Sequence, residues 1–443
     1  MTANGITTNY TYDRNGRLLS GNSGGFNTAY TYNLGGMVTG LTTQNGDTAI
    51  QSHSYTYLPN GNISGKQSTV GTQTTNYAYQ YDKAGRLTNE TINSVPTAYT
   101  YDAWSNRASM TGNGTSSTYT YDANNRLTKS ITEEGSTTTT ADYYYDHNGN
   151  QITKAVNVTT PQSGIAAYFM SPETNSYLSL YEYDSYNRLK SADTDGSVTT
   201  YTYDGNNLRQ SKTSNGITTQ HVWDGSNMVM DGTNKFYRGA TGIEFATLNG
   251  NTSFYHKDAH GDVTALTDSA GIITQSYIYD AFGNQMNENE NDINPFRYCG
   301  EYLDSETGLI YLRNRYYDNA MGRFITEDPI KDGTNWYVYC GNNPVMFVDP
   351  LGESAAYVGG CALIGGFVGF LSQVTINIKN GDEWHNGVLS STLGGAVSGA
   401  VYGLTLNSAS AAYAGAATSS IVDAGFAIYN GEDVGKAVCI YSS

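Results

Sequence analysis

Two Asp-Pro pairs carry the only convincing chemistry in this sequence: Asp328-Pro329 and Asp349-Pro350, set around a tight Gly341-Asn342-Asn343-Pro344 turn. Two carboxylates held close together share a proton, so one can act as acid while the other acts as base on a bound water. Arg323, in Gly322-Arg323-Phe324, could orient a strand or steady a carboxylate by a charge-assisted hydrogen bond. The competing reading is structural, because Asp-Pro commonly opens a turn. The first pair continues as Ile-Lys-Asp-Gly, which leaves Asp332 as an alternative carboxylate.

Other candidates are weaker. His256 and His260, with Asp258 between them, have a spacing that binds metal on a helix. Their segment falls in register with the repeat described below, which makes it a hairpin turn. Asp13, Asp82, Asp122 and Asp204 recur once per repeat and lack the dense acidic run of a calcium loop; turn formation explains them. Cys299, Cys340, Cys361 and Cys439 are far apart and form no Cys-x-x-Cys pair, so single buried thiols are expected, with neither a disulfide framework nor a zinc site. His385 lacks a catalytic set around it. No cofactor and no metal is expected.

The elements that must position these groups are repeats. Tyr-x-Tyr-Asp-x-x-Gly/Asn-Arg-Leu and its variants begin at Tyr10, Tyr30, Tyr55, Tyr79, Tyr99, Tyr119, Tyr143, Tyr181, Tyr201, His221, Tyr255 and Tyr277. Tyr-x-Tyr puts two rings on one face of a strand. Asp opens a turn by accepting the backbone N–H two residues on, and Gly or Asn takes the positive φ that closes it. Arg-Leu starts the return strand. Each repeat is therefore a β-hairpin, and isolated hairpins are barely stable, so they must stack. Residues 153–176 break the register and read as a longer loop or a degenerate hairpin; residues 286–295 read as a polar joint.

Composition agrees. The 443 residues include 39 Tyr and 50 Gly, with 14% charged, a mix suited to strands and turns. A net charge of −17 without any basic run argues against a large nucleic-acid interface. The N-terminus has no basic segment followed by an apolar one, so it is no signal peptide; the chain reads as the C-terminal part of a larger exported polypeptide or as a late-starting reading frame.

Residues 296–352 resemble the core domain of Rhs and other YD-repeat proteins, the bacterial relatives of the teneurin shell. The matching residues are Phe296-Arg297-Tyr298, Gly300, Tyr302, Asp304, Glu306-Thr307-Gly308-Leu309, Tyr311, Arg313, Arg315-Tyr316-Tyr317-Asp318, Gly322-Arg323-Phe324, Asp328-Pro329, Asn335, Tyr337, Tyr339, Asn342-Asn343-Pro344, Asp349-Pro350 and Gly352. With the repeats, the resemblance covers residues 1–352. It implies an all-β fold: a spiralling strip of β-hairpins forming a partial shell over 1–290, closed by an Rhs core over 291–352. It also implies that the core cuts its own chain with Asp328 and Asp349 just after the final Asp-Pro-x-Gly, at the bond following Gly352 or Glu353. Such proteins are secreted or surface-associated polymorphic toxins that enclose a C-terminal segment, with an immunity protein or cell-surface carbohydrate as a further partner. The rival readings are an adhesive surface protein without enzymatic activity, and a truncated remnant.

Residues 353–443 change composition to Gly/Ala-rich and apolar. Gly395, Gly399 and Gly403 share one helix face, so a helical hairpin is expected, buried or in membrane contact over 354–429.

Overall fold

The computed structural model describes residues 2–163, 171–331, 333–353 and 355–357. From β1 (Thr2–Ala3) to β26 (Ile273–Ser276), 26 strands form one sheet. Each strand pairs antiparallel with the next, giving an uninterrupted meander, and among the described residues no pairing joins the last strand to the first.

The repeat explains the turn. Asp13 Oδ1 accepts the backbone N–H groups of Asn15 at 2.8 Å and Arg17 at 2.9 Å, while Oδ2 pairs with Arg17 Nε at 2.6 Å. Gly16 sits at φ +76° and donates to the Asp13 carbonyl. Where Asn replaces Arg, as at Asn106 and Asn150, the amide takes the same carboxylate oxygen. At the second Tyr the register slips, so that Thr11 faces Ser20 but Tyr12 faces Leu18.

That second ring also stitches neighbouring repeats. Tyr32 donates its hydroxyl to the Leu18 carbonyl at 2.6 Å, Tyr101 to Leu87 at 2.7 Å, Tyr121 to Arg107 at 2.8 Å and Tyr203 to Leu189 at 2.8 Å. In the divergent repeat at His221 the indole of Trp223 takes the role, donating to the Arg209 carbonyl at 2.8 Å. The turn arginine of one repeat lies over the tyrosine of the next, as Arg17 over Tyr32 at 4.8 Å and Arg86 over Tyr101 at 4.9 Å. The first ring of each pair faces inward; Tyr55, Tyr99, Tyr143, Tyr181 and Tyr201 are all buried.

The ribbon folds back on itself. Tyr10 donates to Glu244 at 2.8 Å, Gln51 to the Lys257 carbonyl at 2.9 Å, and Lys66 pairs with Asp258 at 2.9 Å. The expected irregularity over 153–176 is a long hairpin, Gln151–Thr160 against Glu173–Tyr183, paired from Thr153↔Leu180 to Thr160↔Glu173.

Inside the ribbon lies a second sheet: β27 (Tyr302–Asp304), β28 (Leu309–Leu312), β29 (Arg315–Asp318) and β30 (Arg323–Phe324). The ribbon wraps it. Core residues bond to ribbon turns spread along the chain: Asn342 to the Ser105 carbonyl at 2.7 Å, Tyr337 to Gly149 at 2.7 Å and Arg313 to Ser226 at 3.1 Å. Arg209 of the ribbon, fully buried, pairs with Asp304, and Lys212 reaches Glu306 at 3.0 Å. Such buried pairs are costly to break rather than strongly stabilising.

Beyond the core, Ala356–Tyr357 pairs as a strand with Phe347–Val348, where the composition suggested that a helix begins. The rest of the expected helical hairpin lies outside the described residues. Among the described residues no helix is long and apolar enough to cross a membrane.

Candidate functional site

The turn between β28 and β29 is Arg313-Asn314. Arg313 takes φ +59°, which turns three consecutive side chains toward the chain leaving the core. Arg313 donates to the Pro350 carbonyl at 2.7 Å and Asn314 Nδ2 to the Leu351 carbonyl at 3.0 Å, and Arg315 Nε donates to the Gly352 carbonyl. Three successive carbonyls are thus held by three successive residues.

Arg315 also joins the two aspartates. One guanidinium nitrogen lies 3.4 Å from Asp349 Oδ2 and 3.6 Å from Asp328 Oδ2, and all three side chains are buried. A further nitrogen donates to the Trp336 carbonyl at 2.8 Å, and the guanidinium lies over the Phe324 ring at 3.5 Å. Burial lowers the Arg315 pKa, while the charges of Asp349, Asp328 and Glu353 pull it back up. Asp328 Oδ1 accepts the Ile330 N–H at 2.9 Å, the usual turn-opening bond, which leaves Oδ2 for the arginine.

The peptide between Gly352 and Glu353 is gripped at both ends. Its carbonyl receives Arg315 Nε, and its N–H donates to Asp349 Oδ1 at 3.0 Å. Gly352 has φ +65°, and a Cβ there would meet the Leu312 carbonyl at 2.8 Å and the Arg315 backbone nitrogen at 3.0 Å, so only glycine fits this close approach. Nearby, burial and then the Asp349 charge push the Cys340 thiol well above its ordinary pKa, so it offers no thiolate nucleophile.

Of the residues singled out from sequence, the structure brings together Asp328, Asp349, Gly352 and Glu353. Arg323 sits elsewhere on β30: it donates to the Asn125 carbonyl and lies between the rings of Tyr121 at 4.8 Å and Tyr337 at 5.1 Å. The arginine between the aspartates is Arg315, quoted above only within Arg315-Tyr316-Tyr317-Asp318. A signal for it was present: a charge inside the apolar and aromatic run Leu309–Tyr317 must find a buried partner. Asp332 lies outside the described residues. His256 lies on the strand Asn251–Lys257, bonded to Thr267 at 2.8 Å, and His260 lies in the hairpin turn that leads to Val263–Thr267.

A sequence profile described as the teneurin YD-shell matches residues 46–345. The chain belongs to the teneurin YD-shell family. This YD-shell chain is 33% identical over 234 residues to the tRNA3(Ser)-specific nuclease WapA of Bacillus spizizenii, covering 51% of this chain and 8% of that protein. It is 48% identical over 97 residues to the putative uncharacterized protein YlbH of Escherichia coli, covering 21% of this chain and 41% of the relative. It is 37% identical over 125 residues to double-stranded DNA deaminase toxin A of Burkholderia cenocepacia, covering 27% and 9%. The YD-shell chain thus spans less than a tenth of the WapA and deaminase-toxin relatives. A crystal structure of TcdB2-TccC3-Cdc42 aligns with 79% of this chain and 22% of its own, at 18% identity and a TM-score of 0.43.

Proposed function

We propose that this YD-shell chain is part of a secreted or cell-surface polymorphic toxin, with the repeats over 1–290 and the core over 291–352 enclosing a segment that the core cuts free. The reaction is hydrolysis of the Gly352–Glu353 peptide bond. The observation that supports it is the double grip on that one peptide by Arg315 and Asp349, with Asp328 on the same guanidinium.

The roles follow from position. Arg315 polarises the Gly352 carbonyl and stabilises the oxyanion that forms when water adds. The two carboxylates share one proton: with it on Asp349, whose other oxygen accepts the Glu353 N–H, Asp349 delivers that proton to the nitrogen and makes it a leaving amine, while the Asp328 carboxylate takes the proton from the attacking water. The products are a Gly352 carboxylate and a new N-terminus at Glu353. The fixed geometry contributes by pre-paid orientation. Residues 353–443 become the released segment, the chain's own principal partner; an immunity protein for it, a cell-surface carbohydrate and membrane contact by 354–429 belong to the same proposal.

Intact-mass analysis of the purified chain tests this. A fragment beginning at Glu353 is expected, and Asp349→Asn and Asp328→Asn should remain whole. If the unaltered chain stays uncut for days at mildly acidic and neutral pH, the proposal fails.

A further inference from the structure

Where the ribbon meets the core, three side chains converge that the cleavage chemistry does not use. His260 comes from the turn before β25 (Val263–Thr267), Asp262 from the end of the same turn, and Cys299 from the bend Tyr298–Gly300 that opens the core. Their nitrogen, oxygen and sulfur atoms all lie within 4.8 Å of one another, and among the described residues this is the one such grouping. His260 Nδ1 is 3.0 Å from Asp262 Oδ1 and 3.8 Å from Cys299 Sγ. His260 and Asp262 are buried and Cys299 is half-buried.

The arrangement is wrong for a nucleophilic relay. A Cys-His-Asp relay needs the carboxylate on one ring nitrogen and the thiol on the other. Here both approach Nδ1, and Nε2 instead faces the Phe347 carbonyl at 3.4 Å. The 3.0 Å contact between Nδ1 and Asp262 Oδ1 is a hydrogen bond with the ring proton between them. When that proton is displaced, Nε2 keeps its own toward the Phe347 carbonyl, and the Nδ1 lone pair, the carboxylate and the sulfur, all within 4.8 Å of one another, can take a cation in the proton's place. The backbone carbonyl behind the imidazole is the outer partner that orients metal-bound histidines. The Cys299 N–H donates to Asp262 Oδ1 at 2.8 Å, which fixes that carboxylate, and the Tyr339 hydroxyl lies 3.7 Å from the sulfur, placed to bond a thiolate.

We propose that His260, Asp262 and Cys299 bind a borderline-soft divalent cation of the zinc type. Ligands at about 2.0–2.3 Å from tetrahedral zinc stand closer together than the present sulfur and nitrogen, so the Cys299 side chain closes in by a small rotation. The donor set of imidazole, carboxylate and thiolate favours zinc over calcium or magnesium, which prefer all-oxygen shells. The cation fastens three segments: a ribbon turn, the entry to the core, and, through Phe347, the strand two residues ahead of Asp349. The site is independent of whether the Gly352–Glu353 bond is cut.

The test uses the full chain at neutral pH. Metal content after dialysis against zinc should be one ion per chain above the level of a Cys299→Ser variant, with Cys361→Ser and Cys439→Ser unchanged. Cobalt substitution should give a thiolate-to-metal absorption band that Cys299→Ser abolishes. Should that variant not fold, the unaltered protein decides: zinc should slow alkylation of Cys299 at least tenfold. Absence of stoichiometric zinc, a cobalt spectrum indifferent to Cys299→Ser, or an alkylation rate unchanged by zinc would each overturn the proposal and leave a shared proton as the occupant.

Discussion

Aspartate opens turns in both the ribbon and the core, but the two regions treat its charge differently. In the ribbon, Asp13, Asp82, Asp122 and Asp184 find their arginine four residues later, at 2.6 to 2.7 Å, at the surface. In the core, Asp328 and Asp349 share Arg315, which reaches them from β29 far from either in sequence, and all three are buried. A locally satisfied aspartate shapes a turn and has nothing left for chemistry. A pair of buried aspartates on one guanidinium sets its carboxylates beside a peptide, and its geometry depends on the whole core being folded.

Replacing the cation tests this contrast most strongly. Arg315→Met keeps the length and removes the charge, stranding two buried carboxylates. We expect a loss of ~3–5 kcal/mol, read from urea midpoints. A loss under ~1 kcal/mol would mean the core aspartates are no more dependent on their arginine than a surface pair.

A second test exploits a ribbon carboxylate that has no cation of its own. Glu90 is buried and accepts the Ala281 N–H at 3.0 Å. Burial first, and then the Asp280 charge, push its pKa from 4.5 up to about 8. The folded state therefore holds a proton that the unfolded state gives up between these values. Stability from this group is full below the unfolded value and declines as pH rises through the folded one. Glu90→Gln should gain on the unaltered protein by a few kcal/mol between pH 5 and 9, measured by denaturant titration at each pH. A difference that stays flat across that range would remove Glu90 as a contributor.

Smaller effects come from the stitching. Tyr203→Phe removes a hydroxyl that bonds the Leu189 carbonyl at 2.8 Å and the core's Tyr316 hydroxyl at 3.0 Å. The expected loss is ~1–2 kcal/mol. Tyr32→Phe, which loses the Leu18 contact, should cost about half as much by the same measurement. Equal losses would show that the link from ribbon to core adds nothing. The smallest change expected is the one made first, transferred to the ribbon: Arg126→Met breaks a partly exposed pair with Asp122 and should cost less than ~1 kcal/mol.

The amino-acid sequence by itself determined the hairpins. Tyr-x-Tyr-Asp-x-x-Gly-Arg-Leu encodes ring direction, turn and return strand within nine residues, because every bond it specifies is short-range: Asp13 to Asn15 and Arg17, with Gly16 closing. It also marked Asp328, Asp349, Gly352 and Glu353, through a motif rather than through contact. Tertiary structure alone decided which arginine meets the aspartates. Arg323 and Arg315 lie eight residues apart in similar surroundings, and only the turn at Arg313-Asn314 sends Arg315 to Gly352 while β30 sends Arg323 toward Asn125. The same holds for His260, Asp262 and Cys299: the cysteine is far along the chain from the other two, and they converge because the ribbon wraps the core. Local sequence specifies bonds between near neighbours; a bond across a wound sheet is set by the winding.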